Sequence, residues 1–427
     1  MKGVRVVTGG LPREFWYLWT GTLVNRIGAF VVVFLAIYLT GERGFSTAYA
    51  GLVLGLYGAG GAAGTTVGGV LADRWGRRPT LLTAHLGAVV MMIVLGTATH
   101  PAAIAVAAGV LGVFAEGSRP AFAAMMVDVV PPADRLRAYN LNYWAINLGF
   151  AVSATLAGLA AEVDYLLLFL IDAGTTLVTA AIVFLKVRET RPARGGPASP
   201  SGTGTARVGL LAVLGDRVFM AYVLLTLGIG IVFMQHLSTL PIAMRADGLS
   251  PSTFGWVIAL NGVLIVAGQL FVPRLLRGRG HSRTMAVAAV IVGIGFGLTA
   301  AADGATMYAI TVLVWTFGEM LNSPSSSVVL AELAPAAARG RYQGVYALAW
   351  QGASFGAPIL GGLVQQHAGN TALWLGCAAL AGLVALGQLL AGPARERRAG
   401  RLRAAEEAAR LPDDVAAGTG ANAGIGA

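Results

Sequence analysis

Twelve long apolar runs, separated by more polar segments that are mostly short, follow one another along this chain of 427 residues. Each run can cross the hydrocarbon core of a bilayer, which is about 30 Å thick and needs about 20 helical residues. The predicted spans are residues 14–40, 47–71, 80–98, 102–128, 138–161, 164–187, 217–243, 251–274, 284–302, 305–332, 342–366 and 370–391. Since a membrane span must satisfy its backbone hydrogen bonds internally, the sequence predicts an all-α transmembrane protein with 12 transmembrane helices.

Composition agrees with a membrane protein and argues against other classes. Charged residues make up 12% of the chain, whereas soluble proteins carry about a quarter. The net charge of +10 is spread over loops and the tail, so we expect no contiguous basic surface and no nucleic-acid partner. Cys377 is the only cysteine, and we expect no metal and no cofactor. An enzyme is not expected, because the sequence holds no Ser-His-Asp set or His/Cys cluster at useful spacing.

The positions of lysine and arginine predict the orientation. Apart from Lys186, Arg217 and Arg274 at the ends of spans, only Arg26 and Arg119 lie within predicted spans, and only Arg43 and Arg245 lie in loops on the side opposite the termini. Because cytoplasmic loops are enriched in bases, both termini are predicted to be cytoplasmic. We expect a multi-pass protein of the bacterial cytoplasmic (inner) membrane, in contact with the lipid bilayer and monomeric.

An internal repeat at an offset of 204 residues divides the chain into two halves. Pro120 and Arg135, for example, recur as Pro324 and Arg339. Six spans per copy is an even number, so both copies enter the membrane from the same side and form a parallel repeat. The predicted units are a first six-helix bundle (1–187), a cytoplasmic linker (188–215), a second six-helix bundle (216–391) and a partly disordered cytoplasmic tail (392–427).

The loop between the second and third spans carries a distinctive pattern. It reads Gly69-Val-Leu-Ala-Asp73-Arg74-Trp-Gly76-Arg77-Arg78. The enrichment of bases in cytoplasmic loops explains the arginines of this loop. It does not explain the glycines or the acid. The pattern resembles the loop signature of the major facilitator superfamily of secondary transporters. That resemblance implies two six-helix bundles that face each other across a central cavity.

The same resemblance implies a conformational latch in this loop. The acid at Asp73 would dock on a neighbouring helix, and Arg77 would pair with Asp128 at the inner end of the fourth span. The latch is expected to include Gly69, Asp73, Arg74, Gly76, Arg77, Arg78 and Asp128. In the second half the position of Asp73 holds Arg277, so any latch there must use other partners.

Ionisable residues inside membrane spans are costly and usually mark function. Glu116 and Arg119 lie three residues apart on one helical face, where they can pair. The stretch Glu116-Gly-Ser-Arg119-Pro120 resembles the arginine-bearing signature of proton-coupled drug exporters, which implies Glu116 as proton carrier with Arg119 as its tuning partner. The full set of proton-coupling candidates is Glu116, Arg119, Asp172, Glu319 and His236.

Four of these five candidates also have a structural interpretation. Glu116 and Arg119 could form a permanent buried pair that holds helices together. Asp172 could support packing rather than line the cavity, and His236 could simply face water. Uncharged polar and aromatic residues are also predicted to line the substrate cavity. The tryptophans could equally belong to the belt of aromatic residues at the membrane–water interface. The predicted substrate cavity comprises Asn25, Arg26, Tyr143, Trp144, Asn147, Gln235, Asn261, Asn322, Tyr346, Trp350 and Gln351.

From these features we expect a proton-coupled antiporter that exports small amphipathic molecules by alternating access, as in multidrug efflux and antibiotic resistance. Its partners would be a small-molecule substrate and protons, since the chain has no nucleotide-binding motif. The alternatives are a proton-coupled importer, or an organic-anion transporter in which Arg26 and Arg119 hold the substrate. One feature argues against antiport: the fifth span (Gly149 to Gly158) lacks the Gly-Pro-Gly pattern of the antiporter signature. A transport-dead sensor is a further alternative.

Overall fold

The computed structural model describes residues 10–190, 210–268, 271–276, 278–335 and 338–408. These residues form helices and turns, with no β-strand among them. The α-helices are α1 (Arg13–Ile27), α2 (Val31–Ile37), α3 (Thr47–Arg74), α4 (Arg77–Thr97), α5 (Pro101–Val129), α6 (Arg135–Val163), α7 (Tyr165–Lys186), α8 (Leu210–Leu214), α9 (Arg217–Phe233), α10 (Gln235–Ser238), α11 (Leu240–Ala246), α12 (Pro251–Gly268), α13 (Val272–Leu276), α14 (His281–Leu298), α15 (Ala305–Leu333) and α16 (Arg339–Ala408). The predicted all-helical class is confirmed for this part of the chain.

Ten helical stretches within the described residues are long and apolar enough to cross a membrane. One of them, Arg339–Ala404, covers two predicted spans, because Gly369 interrupts α16 with a φ of +83°. Helix α15 has 29 residues but carries Glu319 and several serines, and it is not among the ten. The chain is thus a multi-pass helical protein.

Two predicted spans are broken helices. The first span ends as α1 at Ile27, restarts as α2 at Val31 and finishes in a π-helical turn at Tyr38–Glu42. The seventh span is divided into α9, α10 and α11. The sequence predicts one continuous helix in each case, and that prediction is wrong. A break leaves backbone groups that neighbouring helices must satisfy within the membrane.

The last helix extends into the predicted tail. Helix α16 continues to Ala408, so the first part of the predicted tail is helical and continuous with the last span. Most of the predicted linker (191–209), the position Arg277 and the end of the tail (409–427) lie outside the described residues. The expected disorder of the tail therefore stays a prediction.

Glycines allow the helices of the first half to approach closely. Helix α3 packs along α5, α4 packs along α5 and α7, and α1 packs against α6 and α7. A Cβ on Gly64 would lie 2.1 Å from the carbonyl oxygen of Val113, and one on Gly68 equally close to that of Gly117. Only glycine fits at such distances, as expected from a small-residue stripe in a membrane helix.

The two halves meet at the end of the helices where α3 and α12 begin. We call it the closed end. Helix α3 packs on α16 there, and α6 packs on α12. Thr47 Oγ1 donates a hydrogen bond of 3.1 Å to the carbonyl oxygen of Gly362. The rings of Phe34 and Phe254 are 5.3 Å apart. The opposite end of the helices carries the loop at Gly76.

Candidate functional site

A cavity of about 600 Å³ lies between the two halves, beyond the closed end. All five proton-coupling candidates line it. Of the predicted substrate residues, those that line it are Asn25, Arg26, Asn147, Asn261, Trp350 and Gln351. Aromatic and histidine residues that the sequence analysis missed also line it, namely Tyr57, His85, Phe114, Phe150 and Phe233. These lining residues give the site the mixed apolar and polar surface typical of small-molecule cavities.

The other five predicted substrate residues do not line this cavity. Tyr143 and Trp144 are exposed on α6, at 39% and 43%, and Asn322 is half-buried on α15. Tyr346 stacks on the ring of Tyr222 instead. Gln235 is buried and donates a 2.9 Å hydrogen bond to the carbonyl oxygen of Ala357, which joins the broken seventh span to α16.

The predicted pair in the fourth span is present. Arg119 Nε lies 2.7 Å from Glu116 Oε2. The Arg119 side chain is 60% exposed, whereas that of Glu116 is 18% exposed. A Cβ on Gly61 would lie 2.8 Å from Glu116 Cγ, so the bare backbone of α3 makes room for the acid. Arg26 lies within electrostatic range of both partners. The first half therefore gathers acid and base at one point of the cavity.

Asp172 both packs and lines the cavity. Its side chain is 4% exposed, and its Oδ2 accepts the backbone N–H of Val31 at 3.1 Å. The carboxylate therefore caps α2 where the first span restarts. On the other side of the break, Ser153 Oγ donates to the carbonyl oxygen of Ala29 at 3.0 Å. Neighbouring helices α7 and α6 thus satisfy the backbone groups that the break exposes.

We expect Asp172→Ala to lower the thermal-unfolding midpoint of the purified protein clearly more than Asp172→Asn does. Removing a cap costs about 0.5–2 kcal/mol, and asparagine retains an acceptor oxygen for the N–H of Val31. Thermal unfolding in detergent, followed by intrinsic fluorescence, measures the difference. Equal midpoints for the two variants would show that the cap does not stabilise the break.

In the second half, the acid and the histidine have different surroundings. Glu319 Oε2 accepts from Asn261 Nδ2 at 2.8 Å. His236 is 6% exposed, so it does not simply face water. Its Nδ1 donates to the carbonyl oxygen of Phe233 at 2.6 Å, and its ring packs against that of Trp315 at 5.5 Å. We infer that His236 stabilises the broken seventh span as well as lining the cavity.

An ion pair also forms at the loop between α3 and α4. Arg77 Nε lies 3.1 Å from Asp128 Oδ2, which also accepts a 2.9 Å hydrogen bond from Thr190 Oγ1. Glu189 accepts the backbone N–H groups of Arg77 and Arg78 at 3.0 and 3.1 Å, and so caps α4. The sequence analysis did not predict the roles of Glu189 and Thr190. The only indication in the sequence is that an acidic residue directly follows the sixth span.

The family model described as Major Facilitator Superfamily matches residues 18–358 and, in a second overlapping match, residues 238–420. The chain belongs to the Major Facilitator Superfamily. It is therefore a membrane transporter rather than an enzyme.

Individual members of the superfamily resemble the chain over most of its length. The uncharacterized MFS-type transporter YttB of Bacillus subtilis (strain 168) is 30% identical over 374 residues, which cover 86% of this chain and 91% of YttB. The multidrug resistance protein MdtH of Aeromonas hydrophila subsp. hydrophila is 27% identical over 336 residues, 77% of this chain and 82% of MdtH. A crystal structure of an auto-inhibited POT family peptide transporter superimposes with a TM-score of 0.74 at 19% identity, over 89% of this chain and 96% of that one. The structural likeness shows the fold alone.

Within the superfamily signature, the remaining residues are placed as follows. Gly76 has a φ of +119°, and its Cβ would lie 2.5 Å from Glu189 Oε2, so only glycine suits the turn. Arg78 Nη2 donates to the carbonyl oxygen of Phe184. Gly69 and Arg74 lie on α3, Arg74 being exposed in its last turn. Asp73 is also exposed, and it forms no ion pair with a described residue.

We expect Asp73→Asn to lower the transport turnover rate about tenfold while leaving ligand affinity within about twofold. Asp73 forms no ion pair with any residue that the structure describes. A contact that it makes only in another conformational state would change the balance between the states and leave the cavity unaltered. Initial transport rates in proteoliposomes and equilibrium binding to the purified protein give the two numbers. An unchanged turnover rate would rule out a latch role for Asp73.

Proposed function

We propose that the protein is a proton-coupled antiporter that exports small amphipathic molecules by alternating access. The observation that carries this proposal is the Glu116–Arg119 pair, 2.7 Å apart in a cavity between two halves. A carboxylate held in such a cavity can exist charged against the guanidinium or neutral with a proton. The similarity to MdtH, a multidrug resistance protein, supports a drug-like cargo.

In the proposed cycle, Glu116 carries the proton. When it is protonated, its attraction to Arg119 weakens, and the guanidinium can turn to other partners in the cavity, including the transported molecule. Loss of the proton restores the pair. Because the two arrangements differ in charge, each favours a different conformation of the two halves. Asp172 and Glu319 are the reserve candidates for the same role.

The proposed architecture has twelve spans in two six-helix bundles, residues 1–187 and 216–391, with a linker at 188–215 and a tail at 392–427. Both termini are proposed to be cytoplasmic, in a monomer of the bacterial inner membrane. The bacterial relatives support that membrane. With this orientation, the closed end faces away from the cytoplasm, and the cavity is accessible from the cytoplasmic side.

The loop and its partners form the proposed latch. The Arg77–Asp128 pair, with Thr190 and Glu189, ties the third span to the fourth and to the end of the sixth. Asp73 would make its contact when the cytoplasmic ends of the two halves approach each other. The latch would thus stabilise a state that is open on the opposite side.

A second candidate function, transport of organic anions, rests on the exposure of one arginine. Arg119 is 60% exposed in the cavity, and Arg26 lies beside it. Two guanidinium groups can hold a carboxylate or phosphate group of a substrate. The same cavity could then serve import or export of anions.

Vesicle transport separates these functions. A thermal-stability screen of the purified protein against antibiotics, dyes, sugars and organic acids identifies a ligand. Its uptake is then measured in inverted and right-side-out membrane vesicles, with and without a pH gradient. Proton-dependent uptake by inverted vesicles supports export by antiport. Uptake by right-side-out vesicles supports import, and anions as the sole stabilising ligands support the second candidate.

A further inference from the structure

The two halves of the cavity differ in charge. The first half carries Arg26 and Arg119 together with its acids. At the 204-residue offset, the positions of these two arginines hold Gly230 and Ser323. The second half nevertheless keeps an acid, Glu319, which also lines the cavity. The first half of the cavity therefore has acids accompanied by arginines, whereas the second half has the acid Glu319 and the histidine His236 but no arginine or lysine in its lining.

Within the described part of the chain, Glu319 has a polar but no charged partner. Its Oε2 accepts one hydrogen bond of 2.8 Å from Asn261 Nδ2, and Asn261 also donates to Thr316 Oγ1 at 3.1 Å. Among the residues that the structure describes, no base forms an ion pair with Glu319, and its Oε1 accepts no hydrogen bond. A lone carboxylate inside a membrane costs a few kcal/mol unless a cation or a proton neutralises it.

The neighbouring wall of the cavity is aromatic. Trp350 and Phe233 line the same half, with ring centroids 6.4 Å apart at nearly a right angle. Trp350 Nε1 already has a partner, since it lies 3.3 Å from the hydroxyl oxygen of Tyr346. This contact holds Trp350 in place where it lines the cavity. Phe233, Trp350 and Glu319 thus line one cavity, and aromatic rings together with a carboxylate are a combination that recognises organic cations.

We propose that Glu319, positioned by Asn261, binds the cationic group of the transported molecule, so that the cargo includes organic cations whose apolar parts contact Phe233 and Trp350. The inference shares one assumption with the proposed function, namely that this cavity binds the transported molecule. It assigns different tasks to the two acids. Glu116, which pairs with Arg119, takes up and releases the proton. Glu319 recognises the positive charge of the transported molecule.

Two probes of the same shape and opposite charge test this proposal, tetraphenylphosphonium and tetraphenylborate. Their binding to the purified protein is measured by isothermal titration calorimetry at one fixed pH. We expect the cation to bind at least tenfold more tightly than the anion. Glu319→Gln, which keeps the side-chain shape, should weaken cation binding about tenfold and leave anion binding within twofold. The control Asp303→Asn, which changes an exposed acid outside the cavity, should alter cation binding by less than twofold.

Several results would overturn the proposal. The first is equal affinity of the parent protein for the two ions. The second is cation binding that Glu319→Gln leaves intact. The third is a loss of cation binding in Glu319→Asp, which keeps the charge, equal to that in Glu319→Gln, since this would indicate a structural role. Failure of the proposed function looks different: cation binding would depend on Glu319 while transport showed no dependence on a proton gradient.

Discussion

Glu116→Gln should abolish transport driven by a pH gradient, with at least a hundredfold loss of initial rate, while ligand affinity stays within about threefold. Glutamine keeps the size of the side chain and can still accept a hydrogen bond from Arg119 Nε, which lies 2.7 Å from the carboxylate. It cannot exchange a proton near neutral pH. Without that exchange, the pair no longer has the two charge states that drive the cycle.

Transport in proteoliposomes with an imposed pH gradient measures the rate, and equilibrium binding measures the affinity. Asp303→Asn is the matched control, because Asp303 is an exposed acid in the turn before α15, outside the cavity. It should transport at the parent rate. Normal proton-driven transport by Glu116→Gln would remove Glu116 from the mechanism, and the same assay on Asp172→Asn and Glu319→Gln would then test the reserve acids.

Gly51→Ala should shift the protein away from the closed-end conformation and lower transport at least tenfold. A Cβ on Gly51 would lie 2.2 Å from the carbonyl oxygen of Pro358, so α3 and α16 would have to separate. Overpacking of this kind costs about 1–3 kcal/mol, enough to change the ratio of two states about 5- to 150-fold. Gly356→Ala is the control on α16, since its Cβ would meet nothing within 4 Å.

A cysteine reporter at Thr47 measures the shift. Thr47 belongs to the closed-end contact, and the native Cys377 is buried and contributes little background. With a membrane-impermeant maleimide, the Thr47→Cys reporter should react faster in the Gly51→Ala background than in the Gly356→Ala background. Equal rates would show that this contact does not control which end of the cavity is open.

Two ion pairs could be predicted from the sequence, one from local spacing and one from the family signature. Glu116 and Arg119 are one helical turn apart, so their contact follows from helix geometry. The Arg77–Asp128 pair was implied by the family signature and is present. These predictions need only the helix period or a motif, and they do not depend on how the helices are rotated against one another.

The rotation of each helix could not be predicted in the same way. A membrane helix is apolar on all sides, so hydrophobic periodicity does not mark its cavity-facing side. Tyr346 and Trp350 are one turn apart on α16, yet Trp350 lines the cavity while Tyr346 stacks on Tyr222. The helix breaks at Gly28 and Met234 change the rotation of the first and seventh spans further. Asp172 as a helix cap and Gln235 as a bridge both follow from those breaks.

Proton movement that accompanies ligand movement tests the central claim most directly. Proteoliposomes that contain the parent protein and a trapped pH-sensitive dye, with no initial pH gradient, are given an outward or inward gradient of the ligand found in the stability screen. Antiport predicts proton flux opposite to the ligand gradient, abolished by Glu116→Gln. Ligand movement with no proton flux, or with proton flux in the same direction, would contradict proton-coupled exchange through this cavity.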